Sequence, residues 1–161
     1  MEINERVTFR YAEEKDCALI LQFIQGLAEY EQMSDQMIAT EDLLKTWIFE
    51  KQKAEVIFIC HEEKEVGFAL FFHNFSTFLG RAGIYLEDLY VLPEFRGRGF
   101  GKALLKKLAR IAVERKCGRL EWACLDWNRP SIDFYLSLGA QPMDEWTTYR
   151  LTGKTLLEMA N

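Results

Sequence analysis

Histidine is nearly missing from this chain: among 161 residues there are only His61 and His73. Neither has neighbours at the spacing of a zinc ligand set or a Ser-His-Asp arrangement, which disfavours metal and triad chemistry built on them. The four cysteines, Cys17, Cys60, Cys117 and Cys124, are widely spaced, with no Cys-x-x-Cys and no nearby histidine pair. They read as free thiols of a cytoplasmic protein rather than as a disulfide framework or a zinc cluster, so no metal is expected. No apolar run approaches the roughly 18 residues that a membrane span needs. The first ten residues, MEINERVTFR, lack the basic-then-apolar order of a signal peptide. Only three prolines are present, and there is no repeat, low-complexity tract or serine-rich linker. One domain over residues 1–161 is the expected organisation.

What is abundant is apolar and aromatic. Hydrophobic residues make up 49% and aromatics 14%, with twelve Phe, enough for one densely filled core or an apolar cleft. The net charge of −5 conceals a division. From Arg96 to Arg119 there are nine Lys or Arg and one acid, Glu114, a local +8, while the remainder carries 11 basic and 24 acidic residues, or −13. One segment suits an anion and the rest attracts cations. A nucleic-acid-binding role for the basic segment is disfavoured, because the surrounding acidic chain would repel a polyanion.

The periodicities predict a short strand at Val7 to Tyr11. Helical spacing follows at Cys17, Ile20, Leu21, Ile24, Leu27 and Ala28. A second helix, N-capped by Thr40, is expected through Leu43, Leu44, Trp47 and Ile48. AEVIFIC and VGFALFFH read as central strands separated by the turn HEEKE, and residues 74–83 as a loop. The strand IYLEDLYV is stopped by Pro93. A helix with Leu104, Leu105, Leu108, Ile111 and Ala112 on one face is expected to end near Gly118. A strand LEWACL, a helix opening at Pro130 through Ile132, Tyr135 and Leu136, a hairpin around Pro142 to Leu151 and a short last helix complete the pattern. Strands and helices alternate only in the second half, so the fold class is α/β of the α+β kind. That means a mixed, mostly antiparallel sheet with helices on both faces.

The stretch LPEFRGRGFGKAL at residues 92–104 holds three alternating glycines and two interleaved arginines. The dinucleotide pattern G-x-G-x-x-G fails, since the third glycine falls on Lys102 or Leu104. The P-loop pattern fails at Arg96, where a glycine belongs, and at Ala103, where a hydroxyl belongs. What survives is a strand, a proline stop and R-G-R-G-F-G opening a helix. Bare backbone N–H groups at a helix start, with Arg96, Arg98 and Lys102 nearby, make a site for an anion such as pyrophosphate.

R-x-x-G-x-G, here Arg96, Gly99 and Gly101, resembles the acetyl-CoA pyrophosphate motif of the GCN5-related N-acetyltransferases. YLEDLYVLPEFRGRGFG and DWNRPSIDFYLSLGA are similar to that family as well, and the likeness runs over nearly the whole chain. LAEYE at 27–31, YLEDLYV at 85–91 and WNRPSIDFY at 127–135 resemble its spermidine/spermine (diamine) branch most closely. The resemblance implies the N-acetyltransferase fold, acetyl-CoA as co-substrate and a small-molecule amine as acceptor, with neither nucleic acid nor membrane as a partner and a homodimer expected. It implies that main-chain groups of Leu89, Tyr90 and Val91 pair with the pantetheine arm. It places the pyrophosphate on Arg96, Gly97, Arg98, Gly99, Phe100, Gly101 and Lys102, with Asn128 and Ser131 completing the cofactor contacts. Asn128 also stands where it would cap the following helix.

Acetyl transfer from a thioester needs a neutral amine, a polarised carbonyl and a proton for the departing thiolate. An alkyl amine has a pKa near ~10, so a carboxylate or ordered water must take its proton. Glu87 is the candidate, set on the alternation Tyr85, Glu87, Leu89, Val91, with Asp88 pointing to the other face as a structural residue. By its spacing alone Tyr135 is a core aromatic; the family resemblance makes it the acid that protonates the thiolate. Tyr30 and Glu31 match acceptor-contacting positions of the diamine branch, and equally fit a surface acidic helix end. The chain departs from that branch at Thr147, ahead of Tyr149 and Arg150, where the branch has a Glu before a Trp-Arg pair. A diamine, an amino-acid-like amine, a protein or peptide lysine, a protein N-terminus and a CoA sensor without turnover all stay open.

Overall fold

The two apolar runs that stand back to back in the sequence become the middle of a sheet. The computed structural model describes residues 6–161. In it β2 (Glu55–His61) and β3 (Lys64–Ser76) form an antiparallel hairpin, and β2 is buried along nearly its whole length. The turn between them carries Glu62 at φ 49° and Glu63 at φ 69°, the left-handed pair that a two-residue hairpin requires. β1 (Val7–Tyr11) lies antiparallel on β2, β4 (Arg81–Val91) lies antiparallel on β3, and β5 (Leu120–Trp122) runs parallel to β4. The order is β1-β2-β3-β4-β5, a mixed and mostly antiparallel sheet.

Each face of this sheet meets a helix. Cross-strand partners share a face, so Val56, Phe58, Phe68, Leu70 and Tyr90 lie together. They pack with Ile20 and Phe23 of α1 (Cys17–Tyr30) and with Ile48. Ile48 belongs to the helical segment opened by α2 (Glu41–Leu44), where Thr40 caps the start by accepting from the Leu43 N–H at 3.2 Å. Beyond Leu44 the helix widens to π geometry through Glu50. α3 (Phe100–Glu114) buries Leu104, Leu105, Leu108, Ile111 and Ala112, the expected face. It ends at Glu114, because Lys116 takes φ 58° and the Cys117 N–H returns to the Ala112 carbonyl at 2.8 Å. Gly118 serves another purpose: a Cβ there would stand 2.8 Å from Leu79 Cδ1.

Two expectations are corrected. Residues 74–83 are not a loop: β3 and β4 run on to Ser76 and Arg81, and only four residues turn between them. The small residues that suggested a loop are there for pairing. Gly83 lies opposite Asn74, and a Cβ on it would come 2.5 Å from Asn74 Oδ1, while Asn74 Nδ2 donates to Glu121 at 2.9 Å. The hairpin expected around Pro142 to Leu151 is also absent; among the described residues no strand follows Trp122. That segment is exposed throughout, and an isolated two-stranded hairpin gains too little to hold its shape in water.

The chain divides into two compact units, the larger ending at Ala123 and the smaller running from Cys124 to Asn161. The smaller unit holds α4 (Arg129–Ser137) and α5 (Gly153–Met159). No described helix is long and apolar enough to cross a membrane.

One ionic cluster ties β1 to the start of α1 and to β3. Arg10 donates to both oxygens of Asp16, at 2.8 and 2.9 Å, and to Glu65 Oε1 at 2.8 Å, with its guanidinium 4.7 Å above Phe58. Asp16 is only 7% exposed, and Arg10 holds its carboxyl below the usual range. Removing one partner leaves a buried charge unpaired, so Arg10→Ala should lose roughly 3 kcal/mol of unfolding free energy in a urea titration. A loss under about 1 kcal/mol would contradict the pairing as a stabilising element.

Candidate active site

β4 has two edges, and they are treated differently. Along one it pairs with β3 from Arg81 to Val91. Along the other, β5 covers only Ile84, Tyr85 and Leu86. From Glu87 to Val91 that outer edge runs on without β5, and its N–H and C=O groups need another partner.

The strand also changes register there. Leu70 faces Asp88 and Phe71 faces Leu86, so Glu87 is the extra residue of a β-bulge. The bulge corrects the expected alternation. Asp88 shares a face with Tyr85 and Tyr90, the face that looks onto α1, while Leu89 joins Leu86 on the other. On that second side a Cβ on Gly101 would lie 3.8 Å from Leu89 Cδ2, in ordinary contact. Asp88 is thus not on the far face from the chemistry, as strict alternation had placed it.

Three carboxyls gather around the bulge. Glu87 is exposed, Asp88 half-buried, and Glu31 follows the last residue of α1. Burial first, and then the charges of Glu87 and Glu31, push the Asp88 carboxyl up to about 7. Glu31 is raised by burial and by Glu87, and the Tyr85 hydroxyl by burial, Glu87 and Glu121. A group of acids that cannot all ionise comfortably is a site that gains from an arriving cation.

Immediately after β4 comes the glycine loop. Pro93 to Phe95 form one 3-10 turn, then Gly97 and Gly99 take φ 74° and 88°, which side-chain-bearing residues rarely adopt. Gly99 is the N-cap of α3 and offers no side chain to the first-turn N–H groups, and there is no acid in that turn. Gly101 is not demanded by the protein's own packing, since a Cβ would fit. A backbone left this bare, with Lys102 beside it, fits a pyrophosphate.

The two arginines of the loop are engaged from opposite sides. Arg96 donates from Nε to the Val91 carbonyl at 3.0 Å, with its guanidinium 4.9 Å over the Tyr30 ring and 5.2 Å over Tyr90. Arg98 lies 5.4 Å over Phe95 and 5.5 Å over Phe100, with Nη2 3.5 Å from His61 Nε2. In the smaller unit, Asn128 caps α4 by accepting from the Ser131 N–H at 3.4 Å, with proline in the first turn. Tyr135 lies on the same helix, half-buried, its ring 5.6 Å from that of Phe134.

An open strand edge leading into an uncapped glycine-rich helix start offers backbone donors to an anion-bearing ligand, a feature that a CoA-dependent acyltransferase would need. The acetyltransferase (GNAT) family profile matches residues 20–140, and the chain belongs to that family as an acetyl-CoA-dependent N-acetyltransferase. A thialysine N-epsilon-acetyltransferase of Bos taurus is 40% identical over 166 residues, covering 96% of this chain and 97% of its own. An L-ornithine N5-acetyltransferase of Arabidopsis thaliana is 47% identical over 90 residues, 56% of this chain and 40% of its own. Among solved structures, an integron cassette protein of V. cholerae superposes with a TM-score of 0.79 at 31% identity, covering 96% and 97% of the two chains.

Within the larger unit the structure gathers Glu31, Glu87 and Asp88, and sets Tyr30 against Arg96 of the loop. Sequence reasoning passed over Asp88, because a bulge leaves no signature in the residue pattern. It also missed the bracing of both arginines by aromatic rings.

The raised Asp88 carboxyl has a stability consequence. Between the ordinary carboxyl range, near ~4, and about 7 the folded protein keeps a proton that the unfolded chain has released. This group's contribution therefore falls as pH rises through that window. Asp88→Asn should gain stability relative to the parent from about pH 4.5 to 7.5 and level off above it. Denaturant titrations across that range that gave a constant or narrowing difference would contradict the burial of this carboxyl.

Proposed function

We propose that the enzyme acetylates the terminal primary amine of a small amino-acid-like substrate, of the thialysine or ornithine kind, with diamines as the next class. The observation that carries this reading is the trio Glu31, Glu87 and Asp88 beside the open edge of β4. Glu31 and Asp88, half-buried beside the Glu87 carboxylate, favour an ammonium group at that place over a neutral or anionic one. The identities of the relatives above support the amino-acid form of the acceptor.

The reaction is a direct attack within a ternary complex. Glu87 takes the ammonium proton, directly or through a water, and the freed nitrogen lone pair attacks the thioester carbonyl carbon. Main-chain N–H groups of Leu89 to Val91 polarise that carbonyl and hold the pantetheine arm. The C–S bond breaks, Tyr135 gives its proton to the leaving thiolate, and the second proton shed by the acylated nitrogen restores Tyr135 through solvent. The backbone of Gly97 to Lys102 holds the pyrophosphate, with Arg96, Arg98 and Lys102 supplying positive charge, and Asn128 and Ser131 serve the arm. Tyr30 and Glu31 bound the acceptor. Four free cysteines support a cytoplasmic setting, and the homodimer rests on the diamine-branch resemblance.

The test is thiol release from acetyl-CoA with thialysine, lysine, ornithine, spermidine, putrescine and a lysine-containing peptide as acceptors. Saturable turnover should be best with an amino acid bearing a terminal amine. Glu87→Gln and Tyr135→Phe should each lower kcat about a hundredfold, the usual share of general acid–base catalysis. Preference for the peptide would overturn the small-molecule reading. Thermal stabilisation by CoA with no acceptor turned over would make the protein a CoA sensor.

A further inference from the structure

His61 has no place in the reaction just described, yet it sits against the donor loop. It is the last residue of β2, paired on one side with Val7 of β1 and on the other with Lys64 of β3. The residue is 8% exposed. The imidazole stands edge-on to Phe100, the first residue of α3, at 5.5 Å and 65°, and to Phe95 at 6.1 Å and 62°. Phe95 and Phe100 in turn meet edge to face at 6.1 Å. These two rings bracket the residues Arg96 to Gly99.

Arg98 closes the arrangement. Its guanidinium lies over both phenylalanine rings, with Nη2 at the outer limit of hydrogen-bonding distance from His61 Nε2. A guanidinium carries only donors, so a hydrogen bond between the two has Nε2 as its acceptor. Lys64, next to the same turn, places its ammonium 5.3 Å over Phe95.

The loop needs such support. Gly97 and Gly99 add conformational freedom, and a Cβ at Gly97 would meet nothing within 4 Å. Without an outside brace the N–H groups ahead of α3 would sample many directions, and binding would have to pay for fixing them. We propose that His61 is a positioning residue for the donor site. Its ring completes a three-ring cluster with Phe95 and Phe100 and its Nε2 holds Arg98, which fixes the loop in the form that presents its N–H groups to the pyrophosphate. This inference rests on the reading of Gly97 to Lys102 as the pyrophosphate seat.

The experiment is steady-state kinetics with acetyl-CoA and each of thialysine and ornithine, on His61→Ala, His61→Phe, Arg98→Met and the double variant His61→Phe/Arg98→Met. His61→Ala should raise KM for acetyl-CoA about tenfold, the size expected for losing a ring contact and a cation's partner. Both kcat and the amine KM should stay within about twofold, a split that general loosening of the fold would not produce. His61→Phe keeps a ring against Phe95 and Phe100 and removes the nitrogen, so its effect should be smaller. The double variant should be no worse than the worse of its two single changes, because both remove one contact. An unchanged acetyl-CoA KM, a parallel rise in the amine KM or additive single effects would each overturn the proposal. Gly99→Val is the separate control. If it leaves the acetyl-CoA KM unchanged, the pyrophosphate seat itself is misplaced and the proposal falls with it. If it raises that KM while His61→Ala does not, only the role of His61 is lost.

Discussion

Everything at this site follows from a strand that loses one neighbour halfway along. β4 is paired on its inner edge from end to end, but β5 accompanies it only as far as Leu86. Beyond that point the outer edge must find partners in water or in a ligand. The bulge falls at the next residue, Glu87, where the extra residue twists the strand and swaps the faces of everything after it. That one irregularity turns Asp88 toward α1, Leu89 toward α3, and leaves Glu87 exposed beside the open edge. Pro93 then ends the strand, and the glycine loop begins within the next turn.

The charge division of the chain acquires a physical meaning from this geometry. The basic stretch from Arg96 onward opens at the loop and continues along α3, the side on which we propose the anionic donor sits. The acidic remainder supplies Glu31, Glu87 and Asp88 on the α1 side, where the proposed acceptor is a cation. The two arginines of the loop do more than carry charge. Stacked on Tyr30 and Tyr90 from one side and on Phe95 and Phe100 from the other, they tie a flexible segment to the rigid ends of α1, β4 and α3. Part of the chain's rich supply of aromatic residues is spent there.

Much of this was legible in the residues. The long apolar runs predicted β2 and β3, the period of the leucines predicted the buried face of α3, and the glycine spacing predicted a bare loop opening that helix. Thr40 and Asn128 cap helices as their side-chain chemistry leads one to expect. The misreadings have a common cause. Gly83 and Asn74 looked like loop residues, but one makes room for the other across a strand pair. A hairpin was expected at Pro142 to Leu151, but two short strands with no sheet to join gain too little to hold a pair. Strict alternation also assigned Glu87 and Asp88 to faces, and a bulge is a property of two strands together, invisible in either one. His61 was weighed only as a metal ligand or triad base, because a packing role against distant Phe95 and Phe100 has no local spacing.

The open edge and the uncapped loop are proposed as one continuous donor seat. Amide hydrogen exchange measured with and without CoA tests that most directly. The result expected is protection on CoA binding at the N–H groups of Leu89 to Val91 and of Gly97 to Lys102 together, with the β1 and β2 amides unchanged. Protection confined to other elements, with these two segments exchanging as before, would contradict it.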